Sequence, residues 1–194
     1  MSMHRVFAAA LELQAALESL GRPFCFIGGL ALQRWGEIRM TQDADATVLT
    51  EIQHDEEVIR QLLAQFKSRV SNGAEFARHA RVLLLEAANG IGLDVALGAR
   101  DFECHAVLRA TPWDLPGGDL LRTCSAEDLI VHKAFAAREK DWLDIDGIFV
   151  RQGDKLNIGQ ILAELAPLVT LKEDDSIIPR LRKLMRERDL FESP

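Results

Sequence analysis

Apolar positions in the first twenty residues recur at helical spacing. Val6, Phe7, Ala10, Leu11, Leu13, Leu17 and Leu20 fall mostly on one face, and Gly21-Arg22-Pro23 ends the run. The spacing predicts a helix over 3–20. Phe24 to Ile27 is a short apolar run, the pattern of a buried strand, and Gly28-Gly29 turns it into a second short helix through Leu32 and Trp35. Asp43 to Leu49 reads as a strand with Asp43, Asp45, Thr47 and Leu49 on one face. Glu56 to Phe66 returns to helical spacing, and Ser71-Asn72-Gly73 marks a loop.

Arg81 to Ala88 and Ile91 to Leu97 flank Asn89-Gly90, a strong two-residue hairpin signal, so these two strands are expected to pair antiparallel. Phe102 to Leu108 reads as a further strand, followed by a Pro/Gly-rich connection, TPWDLPGG. Ser125-Ala126-Glu127-Asp128 has capping-box spacing ahead of a helix through Ile130, Val131, Ala134 and Phe135, and the pattern stays helical to the end. The order of elements implies an α/β (α+β) fold. Its small mixed β-sheet core is flanked by helices and followed by a helical C-terminal extension. The expected division is a core over 1–124 and a helical region over 125–194 packed on it, or a single domain comprising both.

Composition narrows this picture little. The 194 residues are 48% hydrophobic and 27% charged, ordinary for a soluble globular chain long enough to bury a substantial core. A net charge of −7 argues against broad non-specific nucleic-acid binding but leaves local contact with RNA open. Cys25, Cys104 and Cys124 are far apart and lack metal-type spacing, which reads as buried thiols in a reducing compartment. The N-terminus lacks the pattern of a secretory signal, and no apolar run reaches the length of a membrane span. A cytoplasmic location without membrane attachment is the expectation.

Three features carry candidate chemistry. Gly28-Gly29 lies between strand and helix, where bare backbone and a helix start can approach a phosphate; a purely structural turn is the other reading. Asp43 and Asp45, two apart on a strand, can share a cation, or form an exposed polar face. Asp94, in Ile91-Gly92-Leu93-Asp94-Val95-Ala96-Leu97, points to the face it shares with the small Gly92 and Ala96. A carboxylate there needs a partner or a metal, unless the face belongs to a solvated edge.

Taken in order, a glycine pair, an Asp-x-Asp strand and a lone strand aspartate form the layout of a two-metal phosphoryl-transfer site. On these residues the chain resembles the nucleotidyltransferase superfamily. GGLALQRWGEIRMTQDAD is similar to the version in AbiEii/AbiGii-type toxins and related minimal nucleotidyltransferases, with Arg39-x-Thr41 preceding Asp43-x-Asp45. A second block, Ala126 to Ile145, resembles that family's helical motif through Lys133, Arg138 and Lys140-Asp141-x-x-Asp144. On one unbroken helix Lys133, Lys140 and Asp144 would share a face.

The resemblance implies transfer of a nucleoside monophosphate from an NTP to an acceptor hydroxyl. Asp43, Asp45 and Asp94 would hold two Mg²⁺ ions, with Mn²⁺ as a substitute, and Asp94 could take the acceptor's proton. Gly28 and Gly29 would cradle phosphate, while Arg39, Thr41 and Lys133 add charge or hydrogen bonds. The implied acceptor is a tRNA end or a partner protein, in a toxin–antitoxin setting with a cognate antitoxin. An aminoglycoside-type small-molecule acceptor and a non-catalytic nucleotide- or partner-binding module on the same fold are the alternatives.

Other candidates are weaker. His4, His54, His79, His105 and His132 share no zinc spacing. The basic run Arg180 to Arg188, interleaved with Leu181, Leu184 and Met185, reads as a solvated helix packed on one edge or as an RNA-binding strip.

Overall fold

The computed structural model describes residues 3–50 and 55–190; His54 lies outside them. The chain divides into two compact units, one comprising residues 1–30 and 40–124, the other 31–39 and 125–194.

The first unit is built on a seven-stranded mixed sheet. Its elements are α1 (Met3–Ser19), β1 (Phe24–Phe26), the start of α2 (Gly28–Trp35), β2 (Asp43–Leu49), α3 (Asp55–Gln65), β3 (Lys67–Ser68), α4 (Gly73–Ala80), β4 (Val82–Glu86), β5 (Gly92–Gly98), α5 (Asp101–Leu108), β6 (Thr111–Asp114) and β7 (Leu120–Thr123). The strand order is β3-β4-β5-β2-β1-β7-β6. β2 is parallel to β5 and β1 to β7, whereas the other pairs are antiparallel. The Asn89-Gly90 hairpin forms as expected, with Leu84 opposite Asp94 and Leu83 opposite Val95.

Period-two patterning decides which sheet face is covered. Ala44, Ala46, Val48, Leu83, Leu85, Leu93, Val95 and Leu97 are buried in one cluster with Val6, Ala9, Ala10, Leu13 and Leu17 of α1. The polar side of α1 is used as well. Glu12 accepts from the Ala88 N–H at 3.1 Å, while Gln14 donates to the Leu120 carbonyl (2.9 Å) and accepts from the Arg122 N–H (3.0 Å). Phe7 meets Trp113 of β6 edge-on, with centroids 5.8 Å apart.

Three expectations are corrected here. Phe102 to Leu108 is helix, not strand: the Glu103 carboxylate accepts from the Ala99 and Arg100 N–H groups at 2.8 and 2.9 Å, capping the first turn. Burial follows Phe102 and Ala106, four apart, whereas Leu108, which a strand alternation would bury, is 73% exposed. The TPWDLPGG stretch is not a plain connection, since its Thr-Pro-Trp-Asp forms β6 and pairs with β7 around Gly117 and Gly118, both at positive φ. Directly after Ser71-Asn72, Gly73 opens the unexpected α4.

The second unit is helical. It contains α6 (Ala126–Ala136), α7 (Glu139–Gln152), a 3-10 turn (Gly153–Lys155), α8 (Ile158–Lys172) and α9 (Ile177–Glu187), together with residues 31–39. Ser125 caps α6: its Oγ accepts from the Asp128 N–H at 3.1 Å and donates to the Asp128 carboxylate at 2.7 Å. Leu129, Ile130, Val131 and Ala134 make α6 the buried helix of this unit, packed by α7, α8 and α9. The single helix expected through Lys133 and Asp144 is broken. Ala137 is left-handed at φ 58, and Asp141 accepts from the Arg138 N–H at 3.3 Å to start α7. The basic run lies on α9, which buries Ile177, Leu181 and Met185. Two of its four arginines bind α7: Arg180 pairs with Glu139 and stacks 4.6 Å over Trp142, and Arg188 pairs with Asp146.

Cys25 and Cys124 are buried, Cys104 is half-buried rather than buried, and no disulfide joins them. Among the described residues no helix is long and apolar enough to cross a membrane.

Candidate functional site

The sheet face opposite the α1 core carries the three candidate aspartates. Parallel pairing of β2 with β5 sets Asp45 beside Asp94 and Asp43 beside Gly92. Period two then turns Asp43, Asp45 and Asp94 to the same side, because Ala44, Ala46, Leu93 and Val95 fill the other. One carboxylate oxygen from each lies within 4.8 Å of the others, and all three residues are half-buried. The donor set contains no thiolate or imidazole, and three like charges this close need a positive neighbour. Hard divalent cations such as Mg²⁺ or Mn²⁺ suit it.

The glycine pair has a concrete steric reason. Gly28 sits at φ +58, and a Cβ there would land on the Asp45 carboxylate. A Cβ on Gly29 would strike the Thr41 hydroxyl and lie 2.7 Å from Thr41 Cβ. Bare backbone therefore lets the start of α2 close on β2. Thr41, itself buried, holds its Oγ1 3.2 Å from the Asp43 carbonyl and 3.3 Å from the Asp43 carboxylate.

Asp94 differs from an ordinary aspartate. Burial pushes its carboxyl pKa up, the Arg69 guanidinium pulls it down, the nearby Asp43 charge pushes it up again, and the net shift is upward. Arg69 had no counterpart in the local pattern of the sequence. Its backbone N–H bonds to the Leu84 carbonyl at 2.8 Å, one strand beyond β5. From there the guanidinium hydrogen-bonds to Asp94 and covers Gly92, whose missing Cβ would stand 3.1 Å from it. The room that small residues leave beside Asp94 is thus partly taken by this arginine. Strand order brings the two together, and no spacing in the chain reveals that order.

Arg39 and Lys133 belong to the second unit and meet there on Asp144. Arg39 donates two bonds of 2.8 Å to its two oxygens, and Lys133 donates one of 2.5 Å. Lys133 is 5% exposed and lies 3.7 Å from Asp141. Burial would raise the Asp144 pKa, but the bonds from Arg39 and Lys133 outweigh it and hold the carboxyl below its ordinary value. Lys140 is exposed. The Lys133–Asp144 approach expected from one helix is made by two helices packing instead. Gln33 donates to the Arg39 carbonyl at 2.5 Å and Gln152 to the Trp35 carbonyl at 2.7 Å, which fixes the 31–39 segment on this unit.

This architecture is a nucleotidyltransferase-like fold, with its mixed sheet, flanking helices and C-terminal helices. The chain resembles the solution structure of the antibiotic-resistance factor ANT(2″)-Ia with a TM-score of 0.55 at 15% identity, over 89% of this chain and 95% of that one. The crystal structure of ANT(2″)-Ia in complex with adenylyl-2″-tobramycin gives 0.52 at 18% identity, over 87% and 97%. An antigenic nucleotidyltransferase-like protein from Paracoccidioides brasiliensis gives 0.50 at 16% identity, over 91% of each chain. No protein-family profile and no curated protein matches the sequence.

Proposed function

We propose that the chain is a metal-dependent nucleotidyltransferase that moves a nucleoside monophosphate from an NTP to an acceptor hydroxyl and releases pyrophosphate. The observation that carries this reading is the gathering of Asp43, Asp45 and Asp94 within 4.8 Å beside the Gly28-Gly29 turn. These carboxylates would hold Mg²⁺, two ions in this reading, or Mn²⁺, and the metal would offset phosphate charge and acidify the attacking hydroxyl. Asp94, on the face it shares with Asp43 and Asp45, would be the group that accepts the acceptor's proton. Gly28 and Gly29 let the start of α2 close on Asp45 and Thr41, which would bring its backbone N–H groups to the triphosphate beside the carboxylates. Thr41 keeps the Asp43 carboxylate oriented. Arg39 and Lys133 act through Asp144, holding the 31–39 segment to α6 and α7.

For the acceptor, the Arg39-x-Thr41-x-Asp43-x-Asp45 stretch supports a toxin–antitoxin setting of the AbiEii/AbiGii type. The acceptor would then be a tRNA end or a partner protein, in a reducing cytoplasm. An aminoglycoside-type small molecule is the second acceptor class, supported by the fold likeness to ANT(2″)-Ia. One observation favours a non-catalytic binding module: Arg69 already lies on Asp94. The test is incubation with each labelled NTP plus total RNA, lysate protein and an aminoglycoside panel. Label on an acceptor from the wild type and none from Asp43→Asn, with unchanged circular dichroism, is the expected result. Mg²⁺-dependent NTP binding without product on any acceptor would favour the binding module.

A further inference from the structure

The carboxylate cluster is not left bare of positive charge. Arg69, Leu84, Asp94 and Asp45 lie on four successive strands or strand extensions. The Arg69 N–H bonds to the Leu84 carbonyl, Leu84 pairs with Asp94, and Asp94 pairs with Asp45. This row lets a long side chain from the sheet's edge reach across β4 to the site. The guanidinium donates to one oxygen of Asp94, and the space over Gly92, the register partner of Asp43, admits it. The backbone at Arg69 is braced on both sides. Ser68 Oγ bonds the Val70 carbonyl at 2.8 Å and accepts its N–H at 3.2 Å. The side chains of Arg69 and Asp94 are 33% and 31% exposed, so the pair is shielded yet open enough to exchange.

We propose that Arg69 is a displaceable counter-ion: it holds Asp94 while the cluster carries no metal, competes with a divalent cation for that carboxylate, and once displaced turns its charge to the phosphates of the nucleotide. This rests on the metal-site reading above and adds a residue to it. Arg69 acts through Asp94 and is a positioning residue in the metal-free protein. Three acidic groups within 4.8 Å of one another repel. A guanidinium tethered to the sheet edge offsets that repulsion during folding, before any ion is taken up. A divalent ion brings more charge in a smaller volume, and the guanidinium it displaces would be free to pair with phosphate oxygens of a nucleotide held by that ion.

The test is metal binding by the full chain, read by Mn²⁺ electron paramagnetic resonance without nucleotide. Arg69→Met is expected to bind Mn²⁺ about two- to fivefold more tightly than wild type, the scale of one partly exposed ion pair. Gly92→Ala leaves the arginine in place but crowds its guanidinium at 3.1 Å, and is expected to shift Mn²⁺ affinity in the same direction. Arg69→Lys, which keeps the charge, should stay near wild type. With Mn²⁺ saturating, Arg69→Met should bind NTP more weakly. Unchanged Mn²⁺ affinity in both Arg69→Met and Gly92→Ala would overturn the proposal and leave the metal site standing. If neither wild type nor variants bind Mn²⁺, the metal-site reading fails and takes this one with it. If Arg69→Met does not fold, Gly92→Ala decides the outcome.

Discussion

At Gly28 the backbone conformation and the steric demand coincide. The residue is left-handed, and its missing side chain is the space in which the Asp45 carboxylate sits. Gly28→Ala is therefore expected to lose about 1–2 kcal/mol from the left-handed backbone alone. The displaced carboxylate adds to that cost and should also weaken Mn²⁺ binding. Urea denaturation and a metal titration measure the two effects separately. Asp94 makes a second prediction possible. Its raised pKa means that protons compete with a metal there from a pH above the ordinary aspartate value of 3.8. Metal affinity, followed by titration from pH 7 downward, should begin to fall before an unperturbed aspartate would protonate. For folding the sign is opposite to the usual acidic group. Ionising Asp94 costs the native state more than the unfolded chain, so its contribution to stability improves as pH falls through the native pKa.

Between elements, the Asp144 centre does the joining within the helical unit. Asp144→Asn leaves Lys133 buried with its nearest carboxylate, Asp141, at 3.7 Å. A loss of about 3 kcal/mol in chemical denaturation is expected. Because the native pKa of Asp144 is depressed, its contribution is present above pH 3.8 and disappears as pH falls through the lower native value. The variant should therefore show a flatter acid limb than wild type. In the other unit, Leu13 is fully buried against the sheet, and Leu13→Ala is expected to cost about 2–5 kcal/mol.

The elements also show where local pattern suffices and where it fails. β1, β2, the β4–β5 hairpin and α1, α2 and α6 are legible because apolar period and turn residues agree. Phe102 to Leu108 reads as a strand because Phe102, Cys104, Ala106 and Leu108 alternate, and that reading passes over the four-residue spacing of Phe102 and Ala106. The Glu103 cap and the unburied Leu108 decide for the helix. The break at Ala137 carries no glycine, only an aspartate three residues after Arg138 to mark the next helix start. For the site, spacing along the chain, read with the family resemblance, pointed to the three aspartates that the sheet brings together and to the glycine pair beside them. It was silent on Arg69, which reaches Asp94 only through strand order.

For the molecule as a whole, the clustered acidic triad predicts linkage between metal and stability. A divalent cation at 100 times its dissociation constant should stabilise the wild type by about 2.7 kcal/mol, seen as a rise in melting temperature that Asp43→Asn abolishes. Among the described residues the triad is the one group of three such side chains within common reach, so the shift should follow one class of sites.

Residues 31–39 lie early in the chain but are grouped with the late helices, so the polypeptide passes from one unit to the other after Leu30, Arg39 and Cys124. A cut at 124 is expected to give fragments that do not fold independently, which circular dichroism of each would show. A fragment ending there would carry a nine-residue orphan whose companions had been discarded. The complementary fragment would lack Leu32, Arg39 and the Trp35 carbonyl that its own side chains are built to receive. Dissection of this protein calls for transplanting that stretch along with the helices, because the natural seams in space are not seams in sequence.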